Sequence, residues 1–296
     1  MSDQDQPWTV RRLLEWTTGF FTKKDVDSPR LSAELLLAGV LKQPRIKLYT
    51  DYERVLGPHD LTAFRSLVKR AGEHEPIAYL TGKAHFFNLE FDVSPGVLIP
   101  RPDTETLVES AISYARSVPG LESPRILDLC TGSGCIAAAL AKSLPTAVVL
   151  AIDKSEKAVA IARKNMETLG LAGRVTVECG DLFAPLAEVV DAQPFDLIVA
   201  NPPYIPSNQI AGLDRTVKDY EPTDALDGGL DGLTLHRRIL HEGLDRLTPA
   251  GRVYLEIAFD QGEAALAMKD AIAGWTDARV LKDYAGNDRV LMLQKA

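Results

Sequence analysis

From Pro124 onward, short β-branched runs alternate with amphipathic stretches, and this alternation constrains the fold more than any other feature of the chain. Residues 125–129, 147–152, 174–179, 195–200 and 251–258 read as strands, and 134–143, 155–169, 233–247 and 261–273 as helices. Alternation of this kind predicts an α/β fold, a mostly parallel Rossmann-like sheet with helices on both faces. The closing strands, 279–284 and 290–294, are joined by a Gly286-Asn287 turn with no room for a crossover helix, so that pair is expected to be antiparallel.

Upstream the pattern differs. Residues 1–75 read as a small helical bundle, with one helix over 8–21 and a second over 31–41, opened by Ser28 as N-cap and Pro29. A third, opened by Pro58, carries Leu61, Phe64, Leu67 and Val68 on one side. Either packing support or partner recognition suits such a bundle. The segment 76–100 forms a linker in which Phe86-Phe87 and Leu89 to Val93 pair as a hairpin turning near Asn88. Asp103 or Thr104 then caps a helix running through Arg116, and residues 101–296 form the main domain.

Composition narrows the function. The formal net charge is −8 and there is no Lys/Arg run, which argues against a protein that grips duplex phosphates. No apolar run approaches the roughly 18 residues that span a membrane, and the polar, acidic start from Met1 to Gln6 is unlike a secretory signal. Cys130, Cys135 and Cys179 are odd in number and lack metal-ligand spacing, so they read as reduced thiols of a cytoplasmic protein. The five histidines are scattered; no metal site is expected, and His236 and His241 read as incidental.

Chemistry concentrates at strand ends. The run 195–200 stops at Asn201-Pro202-Pro203-Tyr204, where two prolines without N–H groups stiffen the chain and end any ladder. Asn201 offers a side-chain acceptor and the Pro202 carbonyl a second, while Tyr204 can stack on a plane or face a cation. Asp128-Leu129-Cys130-Thr131-Gly132-Ser133-Gly134 lies between the first sheet strand and its helix, where small residues let backbone approach a ligand. Asp153 ends the next strand, about 20 residues on, suitably placed to accept from ribose hydroxyls. Asp181, after the third, is placed for an adenine amino group. A dinucleotide and S-adenosyl-L-methionine both fit the glycine spacing; the antiparallel closing pair and Asn201 to Tyr204 favour S-adenosyl-L-methionine.

With these motifs the chain resembles the class I S-adenosylmethionine-dependent methyltransferases, whose seven-stranded sheet has an antiparallel last strand. Cys130 replaces the first glycine of their first motif; a small thiol is expected to be tolerated there if its φ stays negative, though it can crowd the methionine carboxylate. Residues 76–82, 86–91 and 97–105 (the last carrying Arg101-Pro102-Asp103-Thr104-Glu105), with Glu221 to Leu226, Gly228 to Gly232 and Ala285 to Arg289, further resemble the glutamine-N5 methyltransferases of peptide-chain release factors. The resemblance implies methylation of the glutamine in the Gly-Gly-Gln motif of class 1 release factors, by a monomer without direct nucleic-acid contact. Ribosomal-protein glutamine methyltransferases rank second and adenine-N6 methyltransferases third. It assigns Cys130, Thr131, Gly132, Ser133, Gly134, Asp153, Asp181, Leu182 and Asn201 to the cofactor, and Asn201, Pro202, Pro203 and Tyr204 to the substrate, with Asn201 and Pro202 catalytic. It makes the helical bundle a substrate-recognition domain. Arg101 to Glu105 either walls the substrate channel or packs a hinge. Gly228-Gly229 is expected to be a flexible substrate-side loop, and Glu256 a structural residue.

Overall fold

The computed structural model describes residues 7–186 and 193–296; the polar start read as unlike a secretory signal lies outside the described residues. The chain divides into two compact units, residues up to Lys83 with Asp214–Tyr220, and Ala84–Leu213 with Glu221–Ala296.

The first unit is helical: α1 (Val10–Lys23), α2 (Pro29–Leu41), α3 (Ile46–Thr50), α4 (Pro58–Ala71) and α5 (Ile77–Thr81). Leu13, Leu14 and Phe21 of α1, Leu36 and Leu37 of α2, and Phe64 and Val68 of α4 form its core. Each such side chain contributes about 1.5–3 kcal/mol on burial. Thr9 caps α1 by accepting from Arg12 N at 3.3 Å. Ser28 stands at the N-cap of α2, but its φ of 45° leaves it with no side-chain cap bond. Pro29, at the first helical turn, remains the start signal there. The one-turn helices α3 and α5 are too short to show a period in the sequence. Residues 214–220 join this unit although they follow the sheet's central strands in sequence; there Tyr220 donates to the Glu73 carbonyl at 3.0 Å.

The second unit opens with a hairpin of β1 (Lys83–Phe86) and β2 (Leu89–Asp92). Its turn residues Phe87 and Asn88 both have positive φ, 50° and 59°, as a primed two-residue turn requires. The alternating region supplies α6 (Glu105–Ser117), β3 (Arg125–Leu129), α7 (Cys135–Ser143), β4 (Val148–Asp153), α8 (Glu156–Thr168), β5 (Val175–Cys179) and β6 (Phe195–Ala200). After the short α9 (Arg215–Lys218) come α10 (Thr234–Gly243), β7 (Leu247–Glu256), α11 (Gly262–Ala267), β8 (Trp275–Lys282) and β9 (Asp288–Lys295). The strands form one seven-stranded sheet ordered β5-β4-β3-β6-β7-β9-β8. All pairs are parallel except β7–β9 and β8–β9, so the last strand runs against both neighbours.

Alternate residues of each central strand face opposite cores. Ile126, Val149 and Val199 pack with Leu107, Ile136, Leu140 and Val159 of α6, α7 and α8. Leu127, Leu129 and Ile198 pack with Ile239, Leu240 and Ala265 of α10 and α11. The chain builds outward from β3 through β4 to β5, then returns to place β6 on the other side of β3. That reversal opens a crevice beyond the carboxyl ends of these strands, where sheets of this type bind ligands.

Candidate active site

A cavity of about 740 Å³ occupies that crevice, within the usual 300–1,000 Å³ range of small-molecule sites. Its walls include Cys130 to Ser133, Asp153, Asp181, Leu182, Asn201 and Pro203. Gly134, Pro202 and Tyr204 are not among its lining residues. Gly134 packs behind the loop, where a Cβ would lie 2.8 Å from Met166 Cε.

The β3–α7 loop is held from several sides. Asp153 Oδ2 accepts from Gly132 N at 2.8 Å and its Oδ1 from Ser155 N at 2.9 Å. The wholly buried Asp128 takes the Thr131 hydroxyl at 2.5 Å and Ala137 N at 3.2 Å. Burial pushes its carboxyl up to about 7, against the pull of these two donors. Asn165, also buried, spans Asp92 of the hairpin and the Ser133 carbonyl, joined to the latter at 2.8 Å.

Two wall residues adopt the left-handed region although neither is glycine, Cys130 at φ 57° and Leu182 at φ 50°. The condition for easy tolerance of Cys130, a negative φ, is therefore not met: the sharp exit from β3 imposes the conformation that glycine adopts freely. The surrounding fold bears strain of order 1–3 kcal/mol for such a residue. Burial also pushes the thiol up, so it stays protonated. Cys130→Gly is expected to raise the thermal midpoint by about 2–4 °C, from a net gain near 1 kcal/mol after glycine's greater unfolded-state freedom. A calorimetric scan showing a lower midpoint would contradict that strain argument.

Asp181 does not stand alone in the wall; it pairs with Arg238 of α10 at 3.0 Å. Nothing local in the sequence marks this arginine, which is 57 positions away.

Around Asn201, Nδ2 donates to Thr104 Oγ1 at 3.2 Å, which turns Oδ1 the other way. The Tyr204 carbonyl accepts from Gln261 Nε2 at 2.9 Å, whereas the Pro202 and Pro203 carbonyls accept no hydrogen bond among the described residues. The Tyr204 hydroxyl donates to Glu256 Oε1 at 3.3 Å, so its polar end serves the interior rather than a ligand in the cavity. Gly228 to Gly232 is not a free loop: Gly228 N donates to the Ile205 carbonyl at 2.8 Å, and Ser207 N to that of Gly229 at 2.9 Å. A Cβ on Gly232 would meet the Tyr204 carbonyl oxygen at 2.2 Å, so only glycine lets the two segments lie this close.

Each polar side chain of Arg101 to Glu105 has a distinct partner. Arg101 pairs with the buried carboxylate of Glu221, which also accepts from Ile99 N at 3.1 Å. Asp103 pairs with Arg289 at 3.1 Å, and Glu105 Oε1 accepts from Phe87 N at 2.8 Å. Thr104 stands at the α6 N-cap yet makes no cap bond, its hydroxyl committed to Asn201. Arg101 and Thr104 line the cavity, while Asp103 and Glu105 fasten the segment to its neighbours.

Glu256, with no exposed surface, ends β7 behind Tyr204. Burial pushes its carboxyl up to about 7, opposed by the Thr104 hydroxyl, the Arg289 guanidinium and the Tyr204 hydroxyl. His236 is not incidental: it is fully buried, and its Nε2 meets the Glu256 carbonyl at 2.7 Å. Burial holds its imidazole down at about 4, so the ring is neutral and Nε2 carries the donated proton.

The donor set suits S-adenosyl-L-methionine. Gly132 lines the cavity at φ 57°, and a Cβ there would enter open space, leaving room for a ligand against the backbone. Asp153 presents a carboxylate for vicinal hydroxyls, and of the basic residues in the walls Arg101, Lys154 and Arg238 are each paired with a carboxylate, Glu221, Asp224 and Asp181.

Comparison with known proteins extends this picture. Residues 12–82 match the family model for the PrmC N-terminal domain, and residues 110–214 that for the methyltransferase small domain. The chain is 42% identical to the release factor glutamine methyltransferase of Rhodopirellula baltica over 296 residues, covering 100% of this chain and 99% of that relative. It is likewise 42% identical to the enzyme of the same description from Geobacter sulfurreducens, over 98% of both. Among solved structures, the catalytic domain of hMettl16 superposes with a TM-score of 0.54 at 20% identity, covering 71% of this chain and 76% of that one, a likeness of fold.

Proposed function

This chain belongs to the release factor glutamine methyltransferase family, and from that membership we propose how its own residues carry out the transfer. The enzyme methylates glutamine of release factors with S-adenosyl-L-methionine; we take the target to be the side-chain amide nitrogen (N5) in the Gly-Gly-Gln motif of class 1 factors. The observation that carries the mechanism is the orientation of Asn201, whose Nδ2 is spent on Thr104 while Oδ1 is left to the cavity.

In this reading Asn201 Oδ1 and the Pro202 carbonyl each accept one N–H of the substrate amide. An amide nitrogen is a poor nucleophile because its lone pair is delocalised into the carbonyl. Two fixed acceptors set its plane, aim the nitrogen, and favour the positive charge that grows on it during transfer. Pro203 and the buried Pro202 keep the acceptors rigid, and Tyr204 anchors the segment from behind. A side-chain base is unnecessary, because the nitrogen becomes acidic enough to lose its proton to water. The bound cofactor supplies a methyl group on an electrophilic sulfonium. Asp153 holds its ribose hydroxyls, Asp181 and the backbone of Leu182 its adenine, and Cys130 to Gly134 its methionine end.

The helical residues 1–75 serve substrate recognition, residues 76–100 are a linker that carries the hairpin, and residues 101–296 perform catalysis. The protein works as a monomer in the cytoplasm, without direct nucleic-acid contact. Among the described residues no helix is long and apolar enough to cross a membrane. Incubation with labelled cofactor and, separately, a class 1 release factor, ribosomal proteins and duplex DNA tests the substrate class. Label is expected in the release factor; transfer to DNA or a ribosomal protein in its place would contradict the reading.

A further inference from the structure

The pairing of Asp181 with Arg238 has no part in the mechanism so far. The two come from different elements: Asp181 follows β5, and Arg238 stands on α10. One nitrogen, Arg238 Nη1, spans the carboxylate, 3.0 Å from Oδ2 and 3.3 Å from Oδ1. The guanidinium is held in turn, its Nε donating at 3.3 Å to Glu242 Oε1 one turn further along the helix. The two side chains are 40% and 55% exposed, and a pair so open to water adds little to folding stability. Both nevertheless line the cavity.

What the pair settles is direction. The backbone at Asp181 is already fixed: Gly180 N donates to the Asp153 carbonyl at 2.9 Å and Ala184 N to that of Asp181 at 3.0 Å. A Cβ on Gly180 would meet Pro185 Cγ at 2.3 Å, so the loop is closely packed as well. The Asp181 side chain still has its own torsions, and Arg238 is what holds them. Helix α10 is a firm support for that arginine, since Ile239 and Leu240 lie in the core and His236 bonds the Glu256 carbonyl at 2.7 Å. Leu235, on the same face of α10, and Leu182 give this stretch of wall its apolar surface. An apolar wall with a fixed carboxylate at its edge suits a purine that carries an amino group. An ionised carboxylate offers only lone pairs, so it accepts from an amino group and repels a carbonyl in the same place. Fixing it before the ligand arrives removes the cost of ordering it on binding. We propose that Arg238 is a positioning residue for the cofactor, holding the Asp181 carboxylate toward the cavity and thereby setting the preference for adenine over its deaminated form. This role rests on the reading of Asp181 as the adenine partner.

The test is calorimetric titration of the full chain with S-adenosyl-L-homocysteine and with S-inosyl-L-homocysteine, neither of which carries a methyl group to transfer. Arg238→Met keeps the length of the stem and removes the charge and the donors. It is expected to weaken the adenosyl ligand about fivefold, the scale of ordering one side chain on binding, and to leave the inosyl ligand within about twofold. Its thermal midpoint stays within about 2 °C of wild type, because the pair is exposed. In an Asp181→Ala background, Arg238→Met changes adenosyl affinity by less than about twofold, since the group it orients is gone. Equal weakening of both ligands by Arg238→Met would overturn the role of Arg238 alone. So would unchanged or tighter adenosyl binding in that variant beside a clear loss in Asp181→Ala. A full preference for the adenosyl ligand in Asp181→Ala would overturn the adenine reading of Asp181, and the role of Arg238 with it.

Discussion

Asn201→Ala lowers turnover on a release factor by about 10²–10³-fold while leaving S-adenosyl-L-methionine affinity within about threefold. The magnitude follows from the role assigned to Oδ1, one of two acceptors for an amide whose nitrogen gains positive charge in the transition state. Removing one preorganised donor from an oxyanion hole costs about 3 kcal/mol, and an acceptor facing growing positive charge is the same interaction with the sign reversed. Cofactor affinity is spared because Asn201 follows β6, whereas Asp153 and the glycine loop lie at the ends of β4 and β3. Asn201→Asp separates charge from geometry. It keeps an acceptor, loses the N–H that binds Thr104 at 3.2 Å, and adds a negative charge beside the methyl donor. Its cofactor affinity is therefore expected to change more than that of the alanine variant. Single-turnover rates with parallel calorimetry measure both quantities, and a normal rate for Asn201→Ala would remove the acceptor pair.

The second large effect is expected at the other side of the cavity. Asp153→Ala weakens S-adenosyl-L-methionine binding by at least about tenfold, on the scale of 1.5–3 kcal/mol for a hydrogen bond to a charged group. Two losses combine there. The carboxylate that accepts from the ribose hydroxyls disappears, and so do the bonds at 2.8 Å to Gly132 N and 2.9 Å to Ser155 N that hold the loop and the start of α8. Asp153→Asn, which keeps one acceptor oxygen, is expected to fall between alanine and wild type. Isothermal calorimetry of the three proteins gives the order; unchanged affinity in Asp153→Ala would remove the residue from the ribose role.

Features that depend on local chemistry were legible in the sequence. The strands 125–129 and 195–200 appear with the bounds their β-branched runs suggest, and the antiparallel last strand follows from a turn too short for a crossover. Asp153 was visible as an acidic strand end, and Asn201 as the stop of an apolar run. What escaped depends on partners far apart in the chain. Thr104 looked like an ordinary cap because its true partner is 97 positions away. Glu256 and His236, separated by 20 positions, looked structural and incidental, since nothing local announces that a carboxyl at the end of β7 receives Tyr204. The positive φ of Cys130 is not legible in the sequence, because the residue type favours the common region while the β3 exit demands the left-handed one. Gly228-Gly229 suggested mobility, yet both are tied by backbone hydrogen bonds to Ile205 and Ser207. In each case tertiary packing gave a residue a use that its own propensity does not encode.

The central claim is that the corner at Asn201 presents a glutamine amide nitrogen to the methyl donor. Mass spectrometric mapping of a class 1 release factor after incubation with the enzyme and S-adenosyl-L-methionine tests it most directly. The account predicts one added methyl group, on the side-chain nitrogen of the glutamine in Gly-Gly-Gln, and none when the enzyme carries Asn201→Ala. A methyl group on any other residue, or an unchanged yield from the Asn201→Ala enzyme, would contradict it.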